Sequence, residues 1–215
     1  MGIHMMTPLY ERIIKRKRKY QLFFPTNNRT VRSNDVVWGI CWAGDDLIVM
    51  PYHVAPNYHV RAAAALTVSY WIWRAFLTFD TSSLPSSFQP VEARLMIAVK
   101  ASTCTSSIAN PYLQLTPGHQ SDPVVIDDFN VQNPETEVLG QIDYRDCAPP
   151  GAKLIYLNQA GLDHINPLGL TKYCLRAQLD VENQTPPLGA NSATWWSLEK
   201  GPGYRPYLRI DYYPF

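Results

Sequence analysis

The 215-residue chain is poor in charge, in glycine and in long apolar runs. Charged residues make up 17% of it against 46% hydrophobic, which excludes the low-hydropathy, high-charge regime in which chains stay disordered. The longest uncharged apolar stretch, "AAAALTVSYWIW" at 62–73, is bounded by Arg61 and Arg74 and is too short for a membrane-spanning helix. No apolar h-region follows the basic cluster near the start, so no signal peptide is expected. "MGIHM" reads as a cloning remnant, with Met6 as the natural start. Cys41, Cys104, Cys147 and Cys174 form no CxxC pair and lack histidines at metal-ligand spacing, which argues against zinc. Buried free thiols are the expectation, with disulfides the alternative in an oxidising medium. GxSxG, HExxH and P-loop patterns are missing too, so no enzyme class has a positive signal.

What the chain does have is aromatic residues and proline. There are 13 tyrosines, 6 tryptophans and 18 prolines against 11 glycines. Aromatics suit strands and prolines suit turns and strand edges, which points to an all-β fold. Within "ERIIKRKRK" (11–19) lie six of the 19 basic residues and one of the 18 acids; the other 13 bases and 17 acids leave a net −4. A basic arm therefore precedes a mildly acidic body. Thr7-Pro8 reads as a helix start, with Leu9, Ile13 and Ile14 as a narrow stripe, so residues 1–24 are expected as a short helical or extended arm.

From "NDVVWGICW" onwards the apolar period becomes two. Val36, Trp38, Ile40 and Trp42 share a face if that segment is extended, as do Trp71, Trp73, Ala75, Leu77 and Phe79. Arg74 falls on the opposite face from Trp73 and need not enter the core. In "DTSSLP" (80–85), Asp80 and the serines satisfy turn backbone and Pro85 stops pairing. Val91, Ala93, Leu95, Ile97 and Val99 oppose Glu92, Arg94 and Lys100. Tyr173, Leu175, Ala177, Leu179 and Val181 oppose Cys174, Arg176, Gln178 and Asp180. Leu208, Ile210 and Tyr212 oppose Arg209 and Asp211. Such alternation marks half-buried antiparallel strands. Turn clusters fall at 81–90, 101–111, 116–123, 145–152, 183–193 and 199–206, and residues 157–169 have room for a helical turn. One antiparallel β-sandwich or jelly roll over 25–215 is expected.

"RAFLTFDTSSLP" followed by "VEARLMIAV", then "GLTKYCLRAQLD" and a closing "WWSLEKGPGYRPYLRIDYY" resemble the DNRLRE-type β-sandwich domains. These are related to jelly-roll carbohydrate-binding modules and occur in secreted, cell-surface and phage structural proteins. The resemblance runs over about residues 30–213 and implies the sandwich. The string that names the family is absent here, and no catalytic or ligand residue carries over.

Trp195-Trp196 is a consecutive pair, so in a strand one ring points inward and the other outward. An outward Trp near Tyr204 and Tyr207 would make a flat sugar platform; two buried rings are the simpler alternative. Lys15, Arg16, Lys17, Arg18 and Lys19 suit an anionic partner, but no base-reading motif accompanies them, so sequence-specific nucleic-acid binding is not expected. The arm could equally be a solubilising tail, or dock on the acidic body of a neighbouring subunit, and such an assembly would loosen with salt. The adjacent acids Asp45-Asp46 and Asp127-Asp128 fit turn solvation better than catalysis. Ca²⁺ on loop oxygens is the one cofactor alternative. His53, His59, His119 and His164 are scattered, and the sequons at Asn28 and Asn183 are no more than chance supplies. A non-catalytic structural or attachment protein is expected: a virion component of phage type, at a virion or extracellular surface, forming a homo-oligomer or joining other virion subunits. A carbohydrate-binding module is the alternative.

Overall fold

A computed structural model describes residues 17–44, 47–50, 59–104 and 111–214. Twelve strands join in one antiparallel network: β1 (Lys19–Phe23), β2 (Pro25–Asp35), β3 (Ile48–Met50), β4 (His59–Leu66), β5 (Tyr70–Asp80), β6 (Phe88–Thr103), β7 (Tyr112–Pro117), β8 (Gly140–Asp143), β9 (Gly151–Tyr156), β10 (Leu170–Ala177), β11 (Gly189–Trp196) and β12 (Tyr207–Pro214). Among the described residues four short α-helices punctuate them: α1 (Trp38–Ala43), α2 (Asp128–Val131), α3 (Gln159–Asp163) and α4 (Gln178–Val181). No helix among the described residues is long and apolar enough to cross a membrane.

Two long strands organise the sheet by forking. β2 pairs along nearly all of β5, from Pro25↔Phe79 to Asp35↔Tyr70. A strand has two edges, so the other edge of β5 is divided: β4 takes residues 71–73 and β10 takes residues 75–80. Arg74 sits between them. β6 behaves alike. β9 occupies one edge opposite residues 94–99, while β12 and β11 divide the other, β12 up to Met96 and β11 from Val99. The path β6–β11–β4–β5–β10–β7–β8 returns on itself through a bridge from Gly140 to Leu157, the residue after β9. Inside lie Ala93, Leu95, Ile97 and Val99 of β6 with Leu208, Ile210, Ile155, Trp195, Phe76 and Phe129.

The alternation expected in β6 and β12 holds for these inward residues, and α3 lies where a helical turn was expected. The "DTSSLP" turn is built as its residues suggest, Asp80 accepting hydrogen bonds from the backbone and side chain of Ser82. Four local expectations are corrected. Residues 38–43 are helical, not extended: Trp38 and Trp42, four apart, fit a 3.6-residue period as well as a two-residue one, and the helix brings Cys41 to the buried face with Trp38. The helix lets Trp38 donate to Asn183 and Trp42 to the Asp180 carbonyl, at 3.0 and 2.9 Å. Gly44, at φ 85°, closes it. The strand from 173 ends at Ala177 and turns into α4 instead of reaching Val181. Residues 183–193 are not all turn, because β11 begins at Gly189. Arg74, which by alternation need not enter the core, is wholly buried.

Candidate functional site

The β5 fork is filled by charge. Asp180, carried inward by α4, accepts from Arg74 (Nε to Oδ2 2.9 Å, Nη2 to Oδ1 2.5 Å) and from Arg176 (Nε to Oδ2 2.8 Å, Nη2 to Oδ1 3.1 Å). Arg74 also donates to the Phe129 carbonyl and lies 3.8 Å from the Phe129 ring centroid; Arg176 donates to the carbonyls of Gln132 and Glu135. All three side chains are inaccessible to solvent. Burial alone would raise the Asp180 pKa, but the two guanidinium groups outweigh it and hold the carboxyl well below the usual range. The cluster pins the 128–135 segment across the fork, and every charge in it is bonded, so its place is structural.

The β6 fork is open. Between the end of β11 and the start of β12, residues 197–206 cross the outward side of β6. On one flank the Trp196 ring meets Tyr204 edge-on, centroids 5.9 Å apart, with Lys200 and Lys100 ammonium groups 4.5 and 5.0 Å from its centroid. On the other flank a cleft of about 270 Å³ is lined by Leu22, Phe24, Met96, Pro202, Gly203, Arg205 and Tyr207. Phe24 and Tyr207 stand edge to face at 6.4 Å. Met96, nearly buried, belongs to the same outward row of β6 as Lys100.

The cleft continues into the outward face of β1, β12, β6 and β9. Tyr20, Leu22 and Phe24 alternate along and just beyond β1 and are 61%, 41% and 51% exposed. In register beside them run Asp211 and Arg209 on β12, Glu92 and Arg94 on β6, and Tyr156 on β9. Arg209 chelates Asp211 and covers Tyr20 at 4.2 Å; Arg94 bonds Glu92. Arg18 reaches both Glu92 (3.2 Å) and Asp211 (3.5 Å). Burial raises the Asp211 pKa, and Arg209 with its neighbours reverses the effect and lowers it. β1 pairs only with β12, so among the described residues its second edge carries no strand.

Of the residues expected as a sugar platform, Trp196 and Tyr204 meet and Tyr207 lines the cleft on the other side of the 197–206 crossing. Trp195 is removed from that role: it is fully buried, facing Val99, because successive strand residues point to opposite sides. Lys15 and Arg16 lie outside the described residues. Arg18 docks on its own body, while Lys17 and Lys19 are exposed. Residues 19–23, read as the end of an arm, are a strand of the sheet.

Asp45, Asp46 and His53 lie outside the described residues, and His59 begins β4. Asp128 is buried, its carboxylate accepting from the Ser121 and Val125 amides. His119 meets Glu135 at 2.9 Å, and His164 meets the Lys172 carbonyl at 2.8 Å. Among the described residues no three His, Cys, Asp or Glu side chains gather to hold a metal ion. The Tyr20–Leu22–Phe24 stripe was missed, although its period of two stands in "KYQLFF"; Met96 and Arg205 carried no such signal.

No protein-family model matches the chain, and no curated protein sequence matches it either. The resemblance to DNRLRE-type domains therefore extends to an antiparallel β-sheet domain with short helices, and no family is identified.

Proposed function

We propose that the chain is a non-catalytic structural or attachment protein that assembles through the outward face of β1, β12 and β6. The observation that carries this reading is the exposed Tyr20–Leu22–Phe24 stripe on a strand whose second edge carries no strand among the described residues. Open edges bearing apolar side chains are pairing templates that monomeric proteins usually blunt, and Tyr, Met and Arg are the residues enriched where protein surfaces meet. The forks at β5 and β6 favour a two-layer jelly roll, since strands that switch between packed sheets make such corners. A jelly roll with an assembly face suits a virion or appendage component, at a virion or extracellular surface, with copies of itself or other virion subunits as partners.

Light scattering on a sizing column at low and at high salt tests the assembly. A defined oligomer that persists at high salt is expected, because apolar contact is not screened. An oligomer that dissolves in salt would assign assembly to charge pairing by the arm, and a monomer throughout would reject assembly.

The second reading is glycan binding, favoured by the Trp196–Tyr204 pair and by Tyr207 in the cleft. Both lysines crowd the Trp196 ring, leaving less of a flat platform than a sugar ring uses. Quenching of Trp196 fluorescence by a soluble polysaccharide is the discriminating observation.

A further inference from the structure

We infer that the β6-fork cleft receives a single aromatic side chain flanked by carboxylates, presented by a partner polypeptide. The inference rests on the assembly reading and gives that face a specific occupant.

Size is the first constraint. The cleft holds about 270 Å³. A cavity of about 150 Å³ accepts benzene, and drug-sized ligands occupy pockets of about 300–1,000 Å³. One aromatic side chain with its methylene fits that volume. The walls agree: Leu22, Phe24, Met96, Pro202 and Tyr207 present carbon, and Phe24 and Tyr207 already stand edge to face, a geometry that a third ring can extend.

Charge is the second. On the neighbouring sheet face the cations are matched to acids: Arg18 and Arg94 to Glu92, and Arg18 and Arg209 to Asp211. Around the 197–206 crossing they are not. Arg205 lines the cleft and spends only Nε, on the Leu198 carbonyl at 3.0 Å. Lys100 and Lys200 are exposed and lean on the Trp196 ring. None of the three has a carboxylate partner among the described residues, although the same chain pairs six other arginines with acids. An apolar slot whose wall holds Arg205, a guanidinium with no carboxylate partner among the described residues, is complementary to an apolar group next to negative charge; Lys100 and Lys200 add positive charge across the crossing, where Glu199 is the one acid of residues 197–206. The same imbalance repels the basic segment at residues 15–19 of a second copy.

The second edge of β1, which carries no strand among the described residues, supplies a backbone component. Leu22 belongs both to that strand and to the cleft wall, and Phe24 follows at its end, so an extended partner segment can pair with β1 while its aromatic residue turns into the cleft.

The test uses the full chain and an acetylated, amidated pentapeptide of sequence EDFDE, followed by amide chemical-shift changes and fluorescence anisotropy. Saturable shifts at Leu22, Gly203 and Tyr207 are expected. Affinity should fall at least tenfold when the peptide phenylalanine becomes alanine, when its acids become amides, or in Arg205→Glu, whose exposed position leaves folding intact. Phe24→Ser, also exposed, should weaken binding without changing the far-ultraviolet spectrum. Absence of saturable shifts at the cleft, or equal binding of acidic and amide peptides, overturns the inference. Oligomeric mass of the unsubstituted chain separates the two levels: if it assembles while it binds no peptide at the cleft, the cleft inference fails and the assembly reading stands. If the protein is monomeric yet the peptide binds as expected, the assembly reading fails and the cleft inference stands.

Discussion

Asp180 accepts four side-chain hydrogen bonds from Arg74 and Arg176, entirely out of water. Removing one member of a buried ionic group is costly because the others stay charged and unpaired. Asp180→Asn is therefore expected to lower unfolding free energy by about 3–5 kcal/mol in urea titration. Replacing all three by apolar residues should not restore stability, since the carbonyls of Phe129, Gln132 and Glu135 would lose their donors. The folded carboxyl titrates below its unfolded value, so its stabilisation is complete above the unfolded pKa of about 3.9 and is lost as pH falls from there toward the folded pKa. The gap between wild type and Asp180→Asn should thus be constant from pH 7 to pH 5 and shrink below pH 4. Thiols give a second check at this scale. Burial pushes Cys41 and Cys147 up to about 11 and Cys174 up to about 12, so none of the three should react with an aromatic disulfide reagent at pH 8 in the native state. Alternation placed Arg74 opposite Trp73 correctly; it could not tell that both faces of β5 are covered, because that depends on segments at 128–135 and 178–181, far away in the chain.

At the scale of elements, the forks and the closing seam decide the shape. β8 reaches the end of β9 only because Gly140 has no side chain: a Cβ there would stand 2.5 Å from the Tyr156 carbonyl oxygen. Gly161 is as tight against the Leu139 carbonyl, also 2.5 Å. Gly140→Ala is expected to destabilise by about 1–3 kcal/mol, the usual cost of overpacking, and to speed amide exchange at Leu139 and Leu157. Unchanged exchange at both would mean that the seam does not depend on that close approach. Strand alternation made β6 and β12 legible in the sequence, since each has an inner and an outer row. α1 and α4 were illegible for a related reason: short apolar runs satisfy both periods, and the choice fell to distant partners, Asn183 and Asp180 for the two indoles of α1. β1 was readable by its own alternation but adjoins the basic cluster, whose composition suggests an arm.

Across the whole molecule, the closed path of pairings buries one side of the sheet and leaves the outward face of β1, β12, β6 and β9 as a continuous aromatic and arginine surface. The candidate site was half legible: Trp196, Tyr204 and Tyr207 were visible as an aromatic cluster, whereas Leu22, Phe24 and Met96 become neighbours only when the first, sixth and last strands lie side by side. That the face serves assembly is tested most directly by the solution mass, from multi-angle light scattering, of the wild type and of a Leu22→Lys/Phe24→Lys variant at equal concentration. A discrete wild-type oligomer and a folded monomeric variant are expected. A wild type that is monomeric at every concentration, or a variant that assembles unchanged, would contradict it.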